Sequence, residues 1–266
     1  MDTKKKMTVK DLLACKGKRV LSMTTVNDHF TARAAELAGI DIVGRGGDNV
    51  EEMCVALPDL RSGAPNTPLI YNIPVTYTYP SESETIRIAM LAMKHGADII
   101  ANSGNTFARF KALADLGIPT MGHVGLVPVK STWVGGLVAV GKTCDQALQV
   151  YRDTVAFQDA GAMMVEMECV PEKIAAEIAK RVDLLVVSLG SGRFCDVQFM
   201  FSCDILGQHD GHYPRHSKKY RNFFDESVKA FGEYREDISS GEYPQPTNTI
   251  KIEDEEFEKF MEKVDK

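Results

Sequence analysis

Met163-Met-Val-Glu-Met-Glu-Cys-Val-Pro171 reads as a short buried strand that ends in an acid. Apolar Val165 and Met167 alternate with Glu166 and Glu168. Residues i and i+2 of a strand point to the same face, so both carboxylates face one way. The exposed start of an amphipathic helix follows at once, with Pro171, Glu172 and Lys173 ahead of Ile174 and Ala175. A strand that delivers a carboxylate at its C-terminal end, just before a loop and a helix, has the geometry of a catalytic residue in a parallel α/β barrel. Glu168 is therefore the candidate catalytic residue. The competing interpretation is a solvated loop acid. The apolar strand before it and Val170-Pro171 behind it argue against that.

Outward from this stretch, strand and helix patterns alternate along the chain. Strands are expected at 19–25, 41–45, 68–73, 98–102, 119–124, 163–169 and 184–189, with a weak eighth near 204–206. Several are near-continuous apolar runs, as expected of parallel strands buried on both faces. Helical patterns lie between them at 31–38, 82–94, 107–116, 144–160, 171–182 and 217–238. Ser81 stands as N-cap of the second, with Glu84 three residues on. Leu37-Ala-Gly-Ile40, Lys94-His-Gly-Ala97 and Asp159-Ala-Gly-Ala162 each put a helix-ending glycine before a strand. The 266 residues suit one (β/α)8 TIM barrel, which runs to about 250. No linker rich in Pro, Gly or Ser interrupts them, so a single domain over 1–266 is expected. From about residue 244 an acidic extension carries Ile250, Ile252, Phe257, Phe260 and Met261. It reads either as a docking helix for a neighbouring subunit or as a solvated tail.

Composition narrows the function. A net charge of −6, with no basic stripe, gives no sign of a nucleic-acid partner. No run of 18 apolar residues suggests a membrane span. Met1-Asp-Thr-Lys-Lys-Lys lacks the apolar core of a signal peptide, so a cytoplasmic location is expected. The six cysteines form no CxxC pair and read as reduced core residues. Cys169, beside Glu168, is either a nucleophile or a packed thiol.

In a barrel the active site collects at the C-terminal strand ends. These supply Thr25 and Asp28, Arg45 with Asp48, Asn72, Asn102 and Ser103, His123, Glu168, and Gly190-Ser-Gly-Arg193. The set holds two arginines, one imidazole and at least one acid. It suits a small carboxylate substrate, with Glu168 moving the proton. Thr25, Arg45, Asn72, Ser103, Ser191 and Gly192 are the expected substrate contacts. The Gly190–Gly192 turn, ahead of an expected helix, would offer backbone N–H groups to an anion, or serve only as a turn. His123 is a substrate contact or a satisfied core histidine. His209, His212 and His216 straddle Gly211 and Pro214, which disfavours a shared metal.

The chain resembles the ketopantoate hydroxymethyltransferase family of the phosphoenolpyruvate mutase/isocitrate lyase superfamily. The resemblance rests on Met7-Thr-Val-Lys-Asp-Leu12, Gly122-His-Val-Gly-Leu-Val-Pro128, Gly135-Gly136 and Ala160-Gly-Ala…Glu168-Cys-Val-Pro171. It continues through Leu189-Gly-Ser-Gly192, Asp196-Val-Gln198, Asp204-Ile-Leu-Gly207, Gly211-His-Tyr-Pro214 and Ser240-Gly-Glu-Tyr-Pro244. It implies transfer of a one-carbon unit from methylenetetrahydrofolate to a branched 2-oxo acid held by magnesium. It also implies a glutamate base matching Glu168, a histidine matching His123, and a homo-oligomer.

The departures fall in the site. Arg45 stands where the family pattern has a metal-binding aspartate, Asn72 where the aspartate ends strand three, and Ala101-Asn102-Ser103 where strand four ends in Lys-x-Glu. Hard cations need oxygen anions, so the family's magnesium site is expected to be absent. Asp48 is the one replacement ligand available. Glu166 stands where the family is apolar. The two changes together suggest that Arg45 takes over part of the metal's role and that Glu166 balances it. The alternative is an outward Glu166, with Arg45 on Asp48. Three functions stay open: the family reaction, a changed lyase- or hydrolase-like reaction on a small carboxylate, and an inactive paralogue that binds one.

Overall fold

The computed structural model describes residues 5–47, 49–74, 81–103 and 107–264. Eight parallel strands close into a barrel in sequence order. They are β1 (Leu21–Thr25), β2 (Ile42–Gly46), β3 (Leu69–Ile73), β4 (Ile99–Asn102), β5 (Thr120–Gly125), β6 (Met164–Glu168), β7 (Leu185–Leu189) and β8 (Val197–Met200). The intervening helices include α1 (Val9–Leu13), α2 (His29–Leu37), α3 (Val50–Gly63), α4 (Glu82–Lys94), α5 (Phe107–Asp115), α6 (Ser131–Val134), α7 (Cys144–Asp159), α8 (Glu172–Ala179) and α9 (Ser202–Leu206). This is the (β/α)8 TIM barrel that the alternating pattern predicts.

The period-2 alternation of each strand builds two cores. Leu21, Met23, Ile42, Ile70, Ile99 and Met121 fill the barrel interior. Val43, Leu69, Tyr71, Ile73 and Ile100 point the other way and pack against the helices of the first half. Val124, Val165, Met167 and Val186 do the same in the second half. Ser81 caps α4, its hydroxyl accepting from the Glu84 amide at 3.1 Å. Gly39, Gly96 and Gly161, each just past a helix end, take the positive φ that stops the helix.

The eighth strand is the correction. It is Val197–Met200, and 204–206 falls within α9. Val197 is buried and Phe199 nearly so, alternating with Gln198 and Met200, and Leu21 pairs with Val197 to close the barrel. Four residues are too short a period-2 run to stand out against Asp204-Ile-Leu, which looks apolar but packs as a helical turn.

The chain divides into two compact units, one running through Ile205 with His212–Lys218 and the other comprising Leu206–Gly211 with Lys219–Lys266. The second holds α10 (Phe223–Ser240) and α11 (Asp254–Val264), so the acidic extension is helical at its end. Neither helix has a buried residue. Phe231, Tyr234, Ile238, Phe257 and Phe260 are exposed. Among the described residues no helix is long and apolar enough to cross a membrane.

Candidate active site

Strand parity sets the site. His123 on β5 shares the inward parity of Met121, and Glu166 and Glu168 on β6 share that of Met164. The register places His123 beside Glu166 and Gly125 beside Glu168. The His123 ring bridges the two pleats, and its Nε2 lies 3.0 Å from the Glu168 carboxylate. Glu166 lies one pleat deeper, only 9% exposed. The ligating atoms of His123, Glu166 and Glu168 all fall within 4.8 Å of one another, close enough to share one cation. His123 Nδ1 is buried, and the Leu126 backbone beside the ring also favours its protonated form.

Burial opposes charge on His123. The nearby Glu166 carboxylate, and the hydrogen bond and charge of Glu168, outweigh it and raise the imidazole above its ordinary pKa. Burial pushes Glu166 upward too, with His123 pulling it back and Glu168 adding to the rise. Beside His123 opens a cavity of about 440 Å³, lined by Ser103, His123 and Gly125, with Lys130, Gln149 and Asp153 around it. The last two come from α7, which motif reading did not connect to the site. Their spacing of four on a helix just upstream of the Glu168 strand was the available signal.

Asn72 and Ser103 come together at the ends of β3 and β4, the amide donating to the hydroxyl at 3.2 Å. Asn72 Oδ1 is buried without a partner. Thr25 closes β1 against the region after β8, its hydroxyl accepting from the Ser202 amide at 3.0 Å. Asp28 caps α2 by accepting from the Thr31 amide at 2.7 Å, so its carboxylate is engaged in structure.

Three expectations are corrected. Arg45 has the parity of Val43, which faces the helices, so it leaves the barrel on the outer side. Its guanidinium donates to Glu52 of α3 at 2.5 Å and to the Asn27 carbonyl at 2.9 Å. Glu52 is thus its counter-ion, and Glu166 faces inward onto His123. The pairing of Arg45 with Glu166 fails because the two positions lie on opposite faces of the barrel wall. Asp48 lies outside the described residues.

Ser191 is 1% exposed. Its hydroxyl donates to the Met167 carbonyl at 2.7 Å and accepts from the Val170 amide at 2.9 Å. It ties the β7 loop to the β6 loop. Gly192 has φ +93°, and a Cβ there would meet the Glu172 side chain at 2.3 Å. Glu172 accepts from the neighbouring Arg193 amide at 3.3 Å. A turn, not a helix, follows. The expected anion cradle therefore lacks its helix terminus, and a protein carboxylate fills its place. Cys169 has φ +51° and a thiol pKa raised by burial and by Glu168, which fits a packed thiol.

An acid–imidazole pair at the C-terminal mouth of a closed parallel barrel, beside a cavity, defines the class as a (β/α)8-barrel enzyme. Solved structures share this fold. One is a 2,3-dimethylmalate lyase of the PEP mutase/isocitrate lyase superfamily, with TM-score 0.57 and 13% identity over 96% of this chain and 98% of that one. Another is a phosphonopyruvate hydrolase, with TM-score 0.58 and 13% identity over 97% and 96%. Residues 6–246 match the model of the ketopantoate hydroxymethyltransferase family, and the chain belongs to that family. Relatives include the 3-methyl-2-oxobutanoate hydroxymethyltransferases of Kosmotoga olearia, 33% identical over 92% of this chain and 97% of the relative, and of Thermosipho melanesiensis, 31% identical over 92% and 99%.

Proposed function

We propose that the chain makes or breaks a carbon–carbon bond next to the carbonyl of a small 2-oxo acid or related carboxylate, with Glu168 as general base. The observation that carries this is the 3.0 Å contact between Glu168 and His123, the latter lining the cavity. Glu168 accepts the proton from the carbon next to the carbonyl, and His123 holds its carboxylate in place. Charge then develops on the carbonyl oxygen. Asn72 and Ser103 at the neighbouring strand ends are the polar groups placed to meet it.

The family's magnesium is not part of this proposal. Among the described residues, the ends of β2, β3 and β4 offer Arg45, Gly46, Asn72, Asn102 and Ser103 and no carboxylate. That donor set does not fit a hard divalent cation. Arg45, paired with Glu52, is left out of the proposed chemistry as well. Hydroxymethyl transfer, with methylenetetrahydrofolate as the one-carbon donor, is the reaction carried over from the family. The changed donor set favours a second possibility, a lyase-like cleavage of a related acid at the same base. A homo-oligomer is the assembly expected, supported by the exposed aromatic side chains of α10 and α11.

The test is deuterium exchange at C3 of 3-methyl-2-oxobutanoate, followed by NMR with magnesium and with EDTA. Exchange that ignores EDTA and disappears in Glu168→Gln supports the proposal. Magnesium-dependent exchange overturns the metal-free site, and no exchange in wild type overturns the substrate class.

A further inference from the structure

A 2-oxo acid brings a carboxylate as well as a carbonyl, and a carboxylate taken out of water needs a charged partner. The groups assigned so far leave that end of the substrate without one. In the unit that holds the barrel, the cations at the strand ends and on the loops that follow are Arg45 on β2, Lys130 and Lys142 after β5, Arg193 after β7, and Arg215 and Lys218 beyond β8. The segments outside the described residues at this end, 48, 75–80 and 104–106, contain no lysine or arginine. Arg45 is paired with Glu52. The Arg193 guanidinium lies over Phe194, 5.0 Å from the ring centre. Lys218 already has a partner. Lys142 and Arg215 line a different cavity, with Cys169 and His216, that neither His123 nor Glu168 lines. Of these cations, Lys130 is the one that shares a cavity with His123.

Among the described residues no ion pair engages the Lys130 ammonium. Asp153, the acid on the same cavity wall, accepts from Gln149 at 2.8 Å and is not paired with Lys130. The rest of the cavity has a place for each other part of a small 2-oxo acid. The Ser103 hydroxyl accepts from Asn72 at 3.2 Å and keeps its own O–H for the carbonyl oxygen. His123 brings Glu168 to the cavity through their 3.0 Å contact. Val127, Val134 and Val140 offer apolar surface to the alkyl end. We propose that Lys130 takes the substrate carboxylate, its ammonium donating to the carboxylate while Ser103 meets the neighbouring carbonyl oxygen. This rests on the site being one for a small 2-oxo acid with Glu168 as base. No bond is made or broken at Lys130. The carboxylate keeps its charge throughout the reaction, so Lys130 binds substrate and transition state alike, and its loss belongs in KM more than in kcat. The pairing also sets specificity: the site prefers short acids that present a carboxylate and a carbonyl side by side.

The test compares wild type with Lys130→Met, which keeps most of the stem and removes the charge, and with Lys130→Arg, which keeps the charge. Lys130 is exposed on its loop, so both variants should fold, as circular dichroism checks. Isothermal titration calorimetry measures binding of 3-methyl-2-oxobutanoate and of its uncharged methyl ester. Wild type should bind the acid about tenfold or more tightly than the ester. Lys130→Met should bind the acid about 10- to 100-fold more weakly and lose the preference over the ester, and Lys130→Arg should recover part of both. In C3 exchange Lys130→Met should raise KM by a similar factor and leave kcat within about threefold. Glu168→Gln lacks the base yet should still bind the acid in preference to the ester, so failure of the base and failure of the Lys130 contact show separately. The proposal is overturned by a Lys130→Met affinity within about twofold of wild type, by a wild type that binds the ester as tightly as the acid, or by a loss confined to kcat. A wild type that does not bind the acid at all overturns it together with the substrate class.

Discussion

Ser191→Ala removes one oxygen atom and two hydrogen bonds. The hydroxyl donates to the Met167 carbonyl at 2.7 Å and accepts from the Val170 amide at 2.9 Å, and the side chain is 1% exposed. Alanine keeps the Cβ, so the loss is mainly polar. Each buried group left without its partner costs about 1–3 kcal/mol. The two together should cost about 2–4 kcal/mol, allowing for some relaxation of the loop. In a chain of this size that corresponds to a drop in thermal midpoint of roughly 4–16 °C. Thermal and urea denaturation of the variant, followed by circular dichroism, measure it. C3 exchange at saturating and limiting 3-methyl-2-oxobutanoate, at a temperature where the variant is folded, measures substrate use. The expected outcome is a large loss of stability with KM changed less than threefold. Since Met167 and Val170 flank Glu168 and Cys169, a modest fall in kcat is compatible. An unchanged midpoint with KM raised tenfold or more would mean that Ser191 binds the ligand and that its place in the loop has been misjudged.

Further predictions concern the candidate site. Glu168→Gln should lower exchange on the order of 10²–10⁴-fold while leaving the fold intact by circular dichroism. Arg45→Ala should leave KM for 3-methyl-2-oxobutanoate unchanged and cost under about 1 kcal/mol in urea denaturation, because it breaks a partly exposed pair with Glu52 outside the barrel wall. A loss of substrate affinity in that variant would restore Arg45 to the site. Stability should also depend on pH. His123 is raised above its ordinary 6.5, so the stability it contributes is full below that pH and lost as pH rises through the folded value. Glu166, raised above 4.5, acts in the same direction, because the folded state again holds the proton more tightly. The thermal midpoint should therefore decline from pH 6 to pH 8 in wild type, and decline less in His123→Gln. A flat wild-type profile counts against the buried cluster.

Much of the fold was legible in the sequence, because local pattern and tertiary structure agree there. Apolar runs of four to six residues followed by helix caps and helix-ending glycines are local features, and they place seven of the strands to within about two residues. The i, i+2 spacing of Glu166 and Glu168 fixes a common face for both carboxylates without any knowledge of neighbours. Strand eight was obscured because Val197–Met200 is only four residues long, too short a run to show a period, and is defined by pairing with β1 and β7.

Which face is which was a different matter. The sequence places Arg45 at a strand end, but only the closed barrel decides that its parity is that of Val43 and that Glu52 waits on α3. Ser191 and Gly192 sit in a glycine-rich turn that could serve an anion equally well. Their hydrogen bonds and close approaches run to Met167, Val170 and Glu172, partners about 20 residues away in the chain. The contact of His123 with Glu168 spans 45 residues and exists because β5 and β6 are register neighbours. Residue types and faces are local properties of the chain. Partners are set by closure of the sheet, and in this protein it is the partners that separate the groups at the mouth of the barrel from those that only hold it together.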